Sequence, residues 1–221
     1  MQAYSKIKEI FTSIQGEGIY TGEKHLFIRF CRCNLDCKFC DTDFSSENAK
    51  EYSSDDLFEN IKDIPCEAIS FTGGEPLLES AFLKQFLEKY KSKLNKKIYL
   101  ETNGTLYKEL AEIIDLIDIV SMDIKLNSAG GQENKFFENE KFLEIAHKKE
   151  CFIKIVFDNS ITDEEICKSS ELAKKYAVPI ILQPKMPMDN DLAMINIFDE
   201  FYDLYKNIRL IPQIHKFLNL A

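Results

Sequence analysis

Short apolar runs alternate along most of the chain with longer segments whose apolar residues recur at helical spacing. A short apolar run between polar turns is typical of a buried strand, and helical spacing is typical of an amphipathic helix. Past residue 60 the pattern predicts strands at 67–72, 97–102, 118–123, 151–157, 178–183 and 208–213, and a first long helix at 78–92. This alternation predicts βα units and therefore a parallel sheet.

Capping residues mark the start of two predicted helices. Ser53 is followed by Asp56, and Thr162 is followed by Glu165. In each pair a hydroxyl and a carboxylate can satisfy backbone amides that the first helical turn leaves without partners. The acidic residues at 163–165 also lie near the positive end of the helix dipole. We therefore expect helices to begin directly after Ser53 and Thr162.

The predicted βα units are too few to close an eight-fold barrel. We therefore predict an α/β fold, an incomplete TIM-like (β/α)6 barrel that is open on one side. We expect a single domain over residues 1–221, in which residues 1–52 add an N-terminal strand, a second strand and a loop rich in cysteine. Residues 127–140 are polar and contain Gly130 and Gly131, so we expect a mobile loop there.

Composition limits the classes of partner. Of 221 residues, 45% are hydrophobic, which is enough for one substantial core, and the formal net charge is −9. Such a chain lacks the clustered Lys and Arg that nucleic-acid binding needs, so we expect a small-molecule partner. No run approaches the roughly 20 apolar residues of a membrane span, and residues 1–9 lack the features of a signal peptide. We expect a cytoplasmic protein that does not enter a membrane.

Four of the seven cysteines lie between residues 31 and 40, whereas the other three are scattered. The crowded group contains the spacing Cys33-x3-Cys37-x2-Cys40. Thiolates are the natural ligands of iron–sulfur clusters, and three thiolates leave one iron of a four-iron cluster open to another ligand. The spacing therefore predicts a cluster that can bind a substrate or cofactor directly.

A strand-like alternation leads into this group. From residue 27 to residue 33 it places Arg29, Cys31 and Cys33 on the face that would point into the barrel. A four-cysteine zinc site that also uses Cys31 is the alternative hypothesis. Structural zinc sites usually combine two cysteine pairs across a longer spacer, and this chain has one run, so we expect Cys31 to be a small buried residue.

Three further motifs follow predicted strands. They are Thr72-Gly73-Gly74-Glu75-Pro76, Glu101-Thr102-Asn103-Gly104-Thr105 and Ser121-Met122-Asp123-Ile124-Lys125. Paired glycines let the backbone approach a ligand closely, and the carboxylate of Glu75 can accept hydrogen bonds from an ammonium group. Because an α/β barrel carries its active site at the carboxyl ends of its strands, we expect these motifs to surround one cavity.

The CxxxCxxC spacing and the GGEP motif at 73–76 together resemble the radical S-adenosylmethionine (SAM) superfamily. The resemblance implies that Cys33, Cys37 and Cys40 hold a [4Fe-4S] cluster that binds SAM and cleaves it to a 5′-deoxyadenosyl radical. It also implies a set of SAM contacts from the cysteine loop and the strand ends. These are Phe39, Cys40, Asp41, Gly73, Gly74, Glu75, Asn103, Ser121, Asp123, Lys125 and Gln183. Which residue of 121–125 lies beside SAM stays open.

Two more segments narrow the resemblance. The paired glycines of Ile14-Gln15-Gly16-Glu17-Gly18 could face a planar heterocycle, and the last residues include His215-Lys216-Phe217-Leu218-Asn219. With all motifs in the same order, the chain resembles the 7-carboxy-7-deazaguanine synthase family nearly end to end. The resemblance implies a lyase of 7-deazapurine (queuosine) biosynthesis. It would contract 6-carboxy-5,6,7,8-tetrahydropterin to 7-carboxy-7-deazaguanine with loss of ammonia and regeneration of SAM.

The same resemblance assigns residues to the substrate. They are Ile14, Gln15, Gly16, Glu17, Arg29, Thr72, His215 and the terminal carboxylate of Ala221. The planar guanidinium of Arg29 suits the substrate carboxylate because it can pair with it bidentately. Thr42 would ligate a Mg²⁺ ion, which prefers oxygen ligands. A homodimer and a flavodoxin- or ferredoxin-type reductant are further implications of the resemblance.

Two other functions compete with this one. A glycyl-radical-enzyme activase shares CxxxCxxC but must dock a large protein, and it does not need a pterin-sized pocket closed by the chain's own C-terminus. A zinc-stapled binding module without turnover would have no use for the GGEP and ETNG motifs. We therefore expect the ring-contraction reaction.

Overall fold

One sheet of nine strands runs through the described residues of the computed structural model. The structure describes residues 2–38, 40, 43, 45–185 and 191–218, apart from the side chains of Asp191 and His215. Within this part of the chain, no helix is both long and apolar enough to cross a membrane.

The sheet combines an antiparallel edge with a parallel body. Its strands are β1 (Tyr4–Ile14), β2 (Lys24–Phe30), β3 (Lys50–Ser53), β4 (Ala68–Gly73), β5 (Lys97–Thr102), β6 (Ile119–Asp123), β7 (Glu150–Phe157), β8 (Ile180–Pro184) and β9 (Ile208–Leu210). Their order across the sheet is β3-β1-β2-β4-β5-β6-β7-β8-β9. The strand β1 pairs antiparallel with β2 and β3, whereas β2 and β4 to β9 are parallel. The predicted α/β fold with a mostly parallel sheet is confirmed.

Helices connect the parallel strands. They are α1 (Ser54–Ile61), α2 (Ser80–Leu94), α3 (Tyr107–Ile113), α4 (Asn127–Gly130), α5 (Phe136–Ala146), α6 (Asp163–Tyr176), α7 (Asp191–Leu204) and α8 (Ile214–Leu218). Both predicted capping boxes are confirmed. Ser53 and Asp56 exchange side-chain to backbone hydrogen bonds at the start of α1, and Thr162 and Glu165 do the same at the start of α6.

Strand residues alternate between two environments. Phe71, Leu100 and Ile153 point outward into a large core that the helices cover. Inward-facing residues near the amino ends of the strands, including Tyr99 and Phe152, form a second, smaller cluster. Because side chains alternate along a strand, the next inward positions lie toward the carboxyl ends. Those positions are polar, and they line the cavity described below.

The structure differs from the sequence-based expectations in three places. The strand β3 was not predicted, and β9 ends at Leu210 rather than at residue 213. The predicted mobile loop at 127–140 was wrong, because α4 occupies its start and α5 begins at Phe136. A buried carboxylate explains this order: Glu165 accepts hydrogen bonds from the Ser128 amide at 3.0 Å and from Asn134 Nδ2 at 3.2 Å.

Candidate active site

The carboxyl ends of the parallel strands surround a cavity of about 150 Å³. Its lining combines the three cysteines of the CxxxCxxC run with residues from four strand ends. The strand-end residues are Thr72, Gly73, Gly74, Glu101, Thr102, Asn103, Asp123, Lys125, Lys154 and Val156. Glu17, Leu35, Gln213 and Lys216 also line it. The structure therefore brings together motifs that are far apart in the sequence.

The cysteine loop (the described part of residues 31–40) begins where β2 ends, at Phe30. Arg32 has a φ of 64°, in the left-handed region, so strand alternation does not continue to Cys33. Cys33 lines the active-site cavity. Cys31 is buried and lines not this cavity but the neighbouring one beside Tyr4 and Ser45, which Cys33 also lines. The prediction that Cys31 and Cys33 share one strand face was wrong, because the strand stops before them.

Gly73 and Gly74 join the end of β4 to the cysteine loop. A Cβ on Gly74 would lie 1.7 Å from the Arg32 carbonyl oxygen, and a Cβ on Gly73 would lie 2.3 Å from the Phe30 carbonyl oxygen. The adjacent backbone is hydrogen-bonded, with the Glu75 amide donating to the Arg32 carbonyl at 2.8 Å. The sequence suggested that these glycines admit a ligand. In the structure they admit the backbone of the cysteine loop.

Glu75 of the GGEP motif is hydrogen-bonded to residues of the ETNG motif. Its side chain is fully buried, and its carboxylate accepts hydrogen bonds from the Asn103 amide at 2.8 Å and from Thr102 Oγ1 at 2.9 Å. Burial raises the pKa of Glu75 to about 7, although these donors oppose the shift. Glu75 is absent from the cavity lining among the described residues. Its expected contact with SAM stays a prediction.

Asn103 carries this connection on to the cysteine loop. Its Nδ2 donates to Asn34 Oδ1 at 2.8 Å and lies 3.9 Å from Cys33 Sγ. Its Oδ1 accepts a hydrogen bond from Thr105 Oγ1 at 2.6 Å. The side chain is therefore fixed from both ends, and it faces the first cysteine of the cluster motif.

Glu101 is a cavity residue that the sequence analysis did not select. Its two carboxylate oxygens accept hydrogen bonds from Gln15 Nε2 at 2.8 Å and from Thr72 Oγ1 at 2.7 Å. Gln15 and Thr72 were both expected to contact substrate, so Glu101 links two predicted substrate residues. The sequence pattern could have identified Glu101. It opens the ETNG motif, and two residues after the inward-facing Tyr99 it lies on the same face of β5.

Lys154 is a second residue that the sequence analysis missed. It is buried, with its Nζ 2.5 Å from Glu17 Oε2 and 3.6 Å from Asp123 Oδ2. Burial alone would lower the pKa of Lys154, but the carboxylates of Glu17, Asp123 and Glu101 outweigh it and hold the pKa well above its ordinary value. The sequence could have indicated Lys154, because it is the one charged residue within the apolar run at 151–157.

The last described residues lie against the QGEG loop (residues 15–18). The Ile214 amide donates to the Gly16 carbonyl at 2.9 Å, and Gln213 Nε2 donates to Glu17 Oε1 at 2.5 Å. Glu17 therefore joins β7, through Lys154, to the start of α8. This arrangement places Lys216 in the cavity lining.

Other predicted site residues occupy varied positions. Arg29 pairs with Glu9 at 2.9 Å and lies over the ring of Phe11, and it is not among the described lining residues. Ser121 and Gln183 are fully buried, and their side-chain polar atoms have no hydrogen-bond partner among the described residues. Ile14 ends β1, next to Gln15 and Gly16. Phe39, Asp41, Thr42, the side chain of His215, and Ala221 lie outside the described residues.

The cysteine arrangement fits an iron–sulfur cluster better than a zinc ion. Cys33, Cys37 and Cys40 line one cavity, and Cys31, which the zinc hypothesis needs, is not among the residues that line it. In the described part of the chain, no three His, Cys, Asp or Glu side chains are grouped closely enough to hold one metal ion. A four-iron cluster takes each thiolate on a different iron, so its ligands need not converge on one point.

Opposing effects act on the pKa values of two of the three thiols, Cys33 and Cys37. Burial raises the pKa of Cys33 and Cys37, while hydrogen bonds from the Leu35 amide and from Gln132, respectively, oppose the increase. Lys125 also favours the Cys37 thiolate, and its Nζ lies 2.9 Å from Asp123 Oδ2. Such donors favour the thiolate form that binds iron.

Comparison with known proteins places the chain among related enzymes. The model of the radical SAM superfamily matches residues 27–200. A 7-carboxy-7-deazaguanine synthase from Geobacter sulfurreducens is 32% identical over 97% of this chain and 97% of its own. The enzyme of the same name from Archaeoglobus fulgidus is also 32% identical, over 96% of this chain and 97% of its own.

A solved structure agrees with the fold. The crystal structure of QueE from Escherichia coli has a TM-score of 0.68 to this chain at 24% identity, over 95% of this chain and 94% of that chain. The superfamily match spans more than half of the chain, and the two synthases align with nearly all of it. The chain therefore belongs to the 7-carboxy-7-deazaguanine synthase family of the radical SAM superfamily.

Proposed function

We propose that this chain is a radical SAM lyase that converts 6-carboxy-5,6,7,8-tetrahydropterin to 7-carboxy-7-deazaguanine, with loss of ammonia, in queuosine biosynthesis. One observation carries the proposal. The cavity at the strand ends is lined by three cluster-type cysteines, by Glu17 of the QGEG loop and by residues of the ETNG motif. Full-length relatives with this activity in their names support the same reaction.

Cys33, Cys37 and Cys40 would hold the [4Fe-4S] cluster. When bound, the cluster and SAM supply the one-electron chemistry that side chains cannot perform. The glycine contacts of β4 hold the cysteine loop at the mouth of the cavity. The protein's contribution on this side is to fix the position of the three thiolates.

The methionine part of SAM carries an ammonium and a carboxylate. Asp123 and Lys125 present one charge of each sign at the cavity, 2.9 Å apart, and together they match that pair. Gln183 has a buried amide whose donor and acceptor atoms have no partner among the described residues. A buried amide of this kind favours a polar ligand, so we assign Gln183, with Ser121, to the SAM side.

The opposite side of the cavity suits a pterin. Glu101 and Thr72 line the cavity, and the Glu101 carboxylate accepts hydrogen bonds from Thr72 Oγ1 and from Gln15 Nε2. The Lys154 ammonium lies beside Glu17 and gives the cavity a buried positive charge. A bound heterocycle could take the place of one of these hydrogen-bond partners, because buried polar atoms require partners.

Arg29 is the proposed partner of the substrate carboxylate. In the structure it pairs with Glu9, whose side chain is half exposed. Exposed ion pairs contribute about 1 kcal/mol or less, so exchanging Glu9 for a bidentate substrate carboxylate is inexpensive. Gln213 and Lys216 line the cavity, and the hydrogen bonds from Gln213 and Ile214 to residues 16–17 hold this segment in place. The segment would limit the access of water to the bound substrate.

Several wider features belong to the same proposal. Thr42 would ligate Mg²⁺, and His215 and the carboxylate of Ala221 would contact substrate. A flavodoxin- or ferredoxin-type protein would supply electrons. We also propose a single domain over residues 1–221, a homodimer and a cytoplasmic location.

The direct test is an anaerobic turnover assay. Protein reconstituted with iron and sulfide receives reductant, SAM, Mg²⁺ and 6-carboxytetrahydropterin, and products are followed by mass spectrometry. Formation of 7-carboxy-7-deazaguanine supports the proposal. Formation of 5′-deoxyadenosine with untouched pterin would leave the radical SAM assignment intact and contradict the substrate.

Cysteine variants test the ligand set. Cys33→Ala, Cys37→Ala and Cys40→Ala should each abolish SAM cleavage, because each removes a cluster ligand. Cys31→Ala is the matched control and should leave cleavage largely intact, since Cys31 does not line the active-site cavity. The assay is 5′-deoxyadenosine produced with dithionite. Loss of the cluster in the Cys31 variant would contradict this ligand assignment.

A further inference from the structure

The part of the β6–α5 connection that follows the family motif, residues 126–135, contacts the cysteine loop. The Lys38 amide donates to the Gly130 carbonyl at 3.0 Å. A Cβ on Gly131 would lie 2.6 Å from Lys38 Cε. The connection therefore contacts the cysteine loop at the residue that follows Cys37.

A hydrogen-bond network fixes the connection in this position. The Asn127 amide donates to Asn134 Oδ1 at 2.7 Å, which closes the segment on itself. Glu165, at the start of α6, accepts hydrogen bonds from both Ser128 and Asn134 with Oε1. Its other oxygen accepts from the Thr162 amide at 3.1 Å. A single carboxylate thus anchors the connection to a long helix.

Gln132 extends from this fixed segment to the cluster motif. Its Nε2 lies 3.0 Å from Cys37 Sγ and donates a hydrogen bond to it. By comparison, Asn103 Nδ2 is 3.9 Å from Cys33 Sγ. The buried Oε1 of Gln132 has no partner in the described part of the chain, so that oxygen does not draw the amide away from the sulfur.

We propose that Gln132 raises the reduction potential of the cluster by donating a hydrogen bond to the sulfur of Cys37. This inference rests on the proposed role of Cys37 as a cluster ligand. Reduction adds negative charge to the cluster and its sulfurs, and an N–H donor stabilises that charge. Gln132 is thus a positioning residue that acts through Cys37 and makes the first electron transfer easier.

The test measures the potential rather than turnover. Wild type, Gln132→Met and Gln132→Lys are loaded with the cluster and titrated anaerobically, without SAM or pterin, while the reduced cluster is followed by electron paramagnetic resonance. Met has a similar length and no donor, so its potential should fall below that of wild type. Lys places a cationic donor at the same position, so its potential should rise. Equal potentials in wild type and Gln132→Met would overturn the proposal.

Controls separate this inference from others. Gln85→Met makes the same chemical change at a side chain that accepts from the Ala3 amide, and its potential should match wild type. If Gln132→Met does not load, Gln132→Lys decides, and an unchanged or lower potential in that variant contradicts the proposal. Wild type that binds no four-iron cluster contradicts the proposed function itself. A normal cluster with no differences among variants contradicts this inference alone.

Discussion

The two walls of the cavity are built by different kinds of contact. The cofactor wall (Gly73, Gly74 and Asn103 with the cysteine loop) is held by backbone packing and by the fully buried carboxylate of Glu75. The substrate wall (Glu17, Lys154 and Gln213 with Glu101) is held by side-chain ion pairs and hydrogen bonds. Backbone packing leaves no room for adjustment, whereas side chains can exchange partners. We infer a rigid cofactor wall and an adaptable substrate wall.

The largest effect should come from adding one carbon atom to the cofactor wall, which tests whether that wall is rigid. Gly74→Ala places a Cβ 1.7 Å from the Arg32 carbonyl oxygen, and backbone atoms on both sides cannot move aside cheaply. We expect a loss of about 3 kcal/mol in unfolding free energy, together with loss of bound iron. Urea unfolding and iron analysis measure both.

Gly22→Ala is the matched control for this variant. Gly22 has a positive φ of 99°, unlike Gly74, and a Cβ there would meet nothing within 4 Å. It should cost about 1 kcal/mol through backbone strain and keep full iron content. Equal iron loss in both variants would mean that the contact with Arg32 is not what holds the cysteine loop.

The next effect, no larger than the first, is expected from the buried carboxyl of Glu75, which supports the same wall. Glu75 has a pKa of about 7 in the folded chain against an ordinary value of 4.5. Between these values the unfolded chain releases the proton and the folded chain keeps it, so rising pH destabilises the fold, by about 3 kcal/mol at most. Above about pH 7 the contribution is constant.

Glu75→Gln removes this pH dependence because an amide does not ionise. The unfolding free energy of the variant should gain on wild type as pH rises from 4.5 to 7, although the amide cannot accept all the hydrogen bonds that Glu75 accepts. Urea unfolding of cluster-free protein across this range measures the difference. A difference that is the same at every pH would contradict the assignment to Glu75.

In the substrate wall, Lys154→Met should affect binding rather than the cluster. Without the ammonium, Glu17, Asp123 and Glu101 would present more negative charge to a carboxylated substrate. We expect KM for the pterin to rise about tenfold, equivalent to about 1.4 kcal/mol, with iron content unchanged. Lys149→Met removes an exposed lysine and should change neither. Iron loss in the Lys154 variant would show that the two walls are not separable.

The smallest effect should come from Glu9→Gln. This change removes the ion pair that Arg29 makes at 2.9 Å and leaves the guanidinium available to the substrate carboxylate. Pterin affinity should increase about two- to threefold, in line with the low strength of exposed ion pairs. Isothermal titration with unreacted substrate, without reductant, measures it. Weaker binding would mean that Glu9 positions Arg29 instead of competing for it.

The fold could be predicted from the sequence because the buried face of each strand or helix requires apolar residues at a regular spacing. The strands β4 to β8 lie within two residues of their predicted bounds. The strand β3 was not predicted because it has only four residues, two of them exposed, and therefore no apolar pattern. The connection at 127–134 escaped because its order comes from Glu165, more than 30 residues away.

The cavity was partly predictable for a related reason. Motifs at strand ends could be placed together because parallel strands end on one side of the sheet. Lys154 could not be paired with Glu17, which is 137 residues distant, since strand register and loop path decide that contact. The role of Gly74 was also hidden, because the atom it makes room for belongs to Arg32.

The hydrogen bond between Gln213 and Glu17 joins residues 196 positions apart. Synthesis begins at the amino terminus, so the contact of Glu17 with Gln213 cannot form until nearly the whole chain has been made. The contacts among Phe30, Arg32, Gly74 and Asn103 need only the first half of the chain. During synthesis, the site for the cluster can therefore take shape before the site for the pterin exists. Iron delivery to a nascent or truncated chain would precede any ability to recognise substrate.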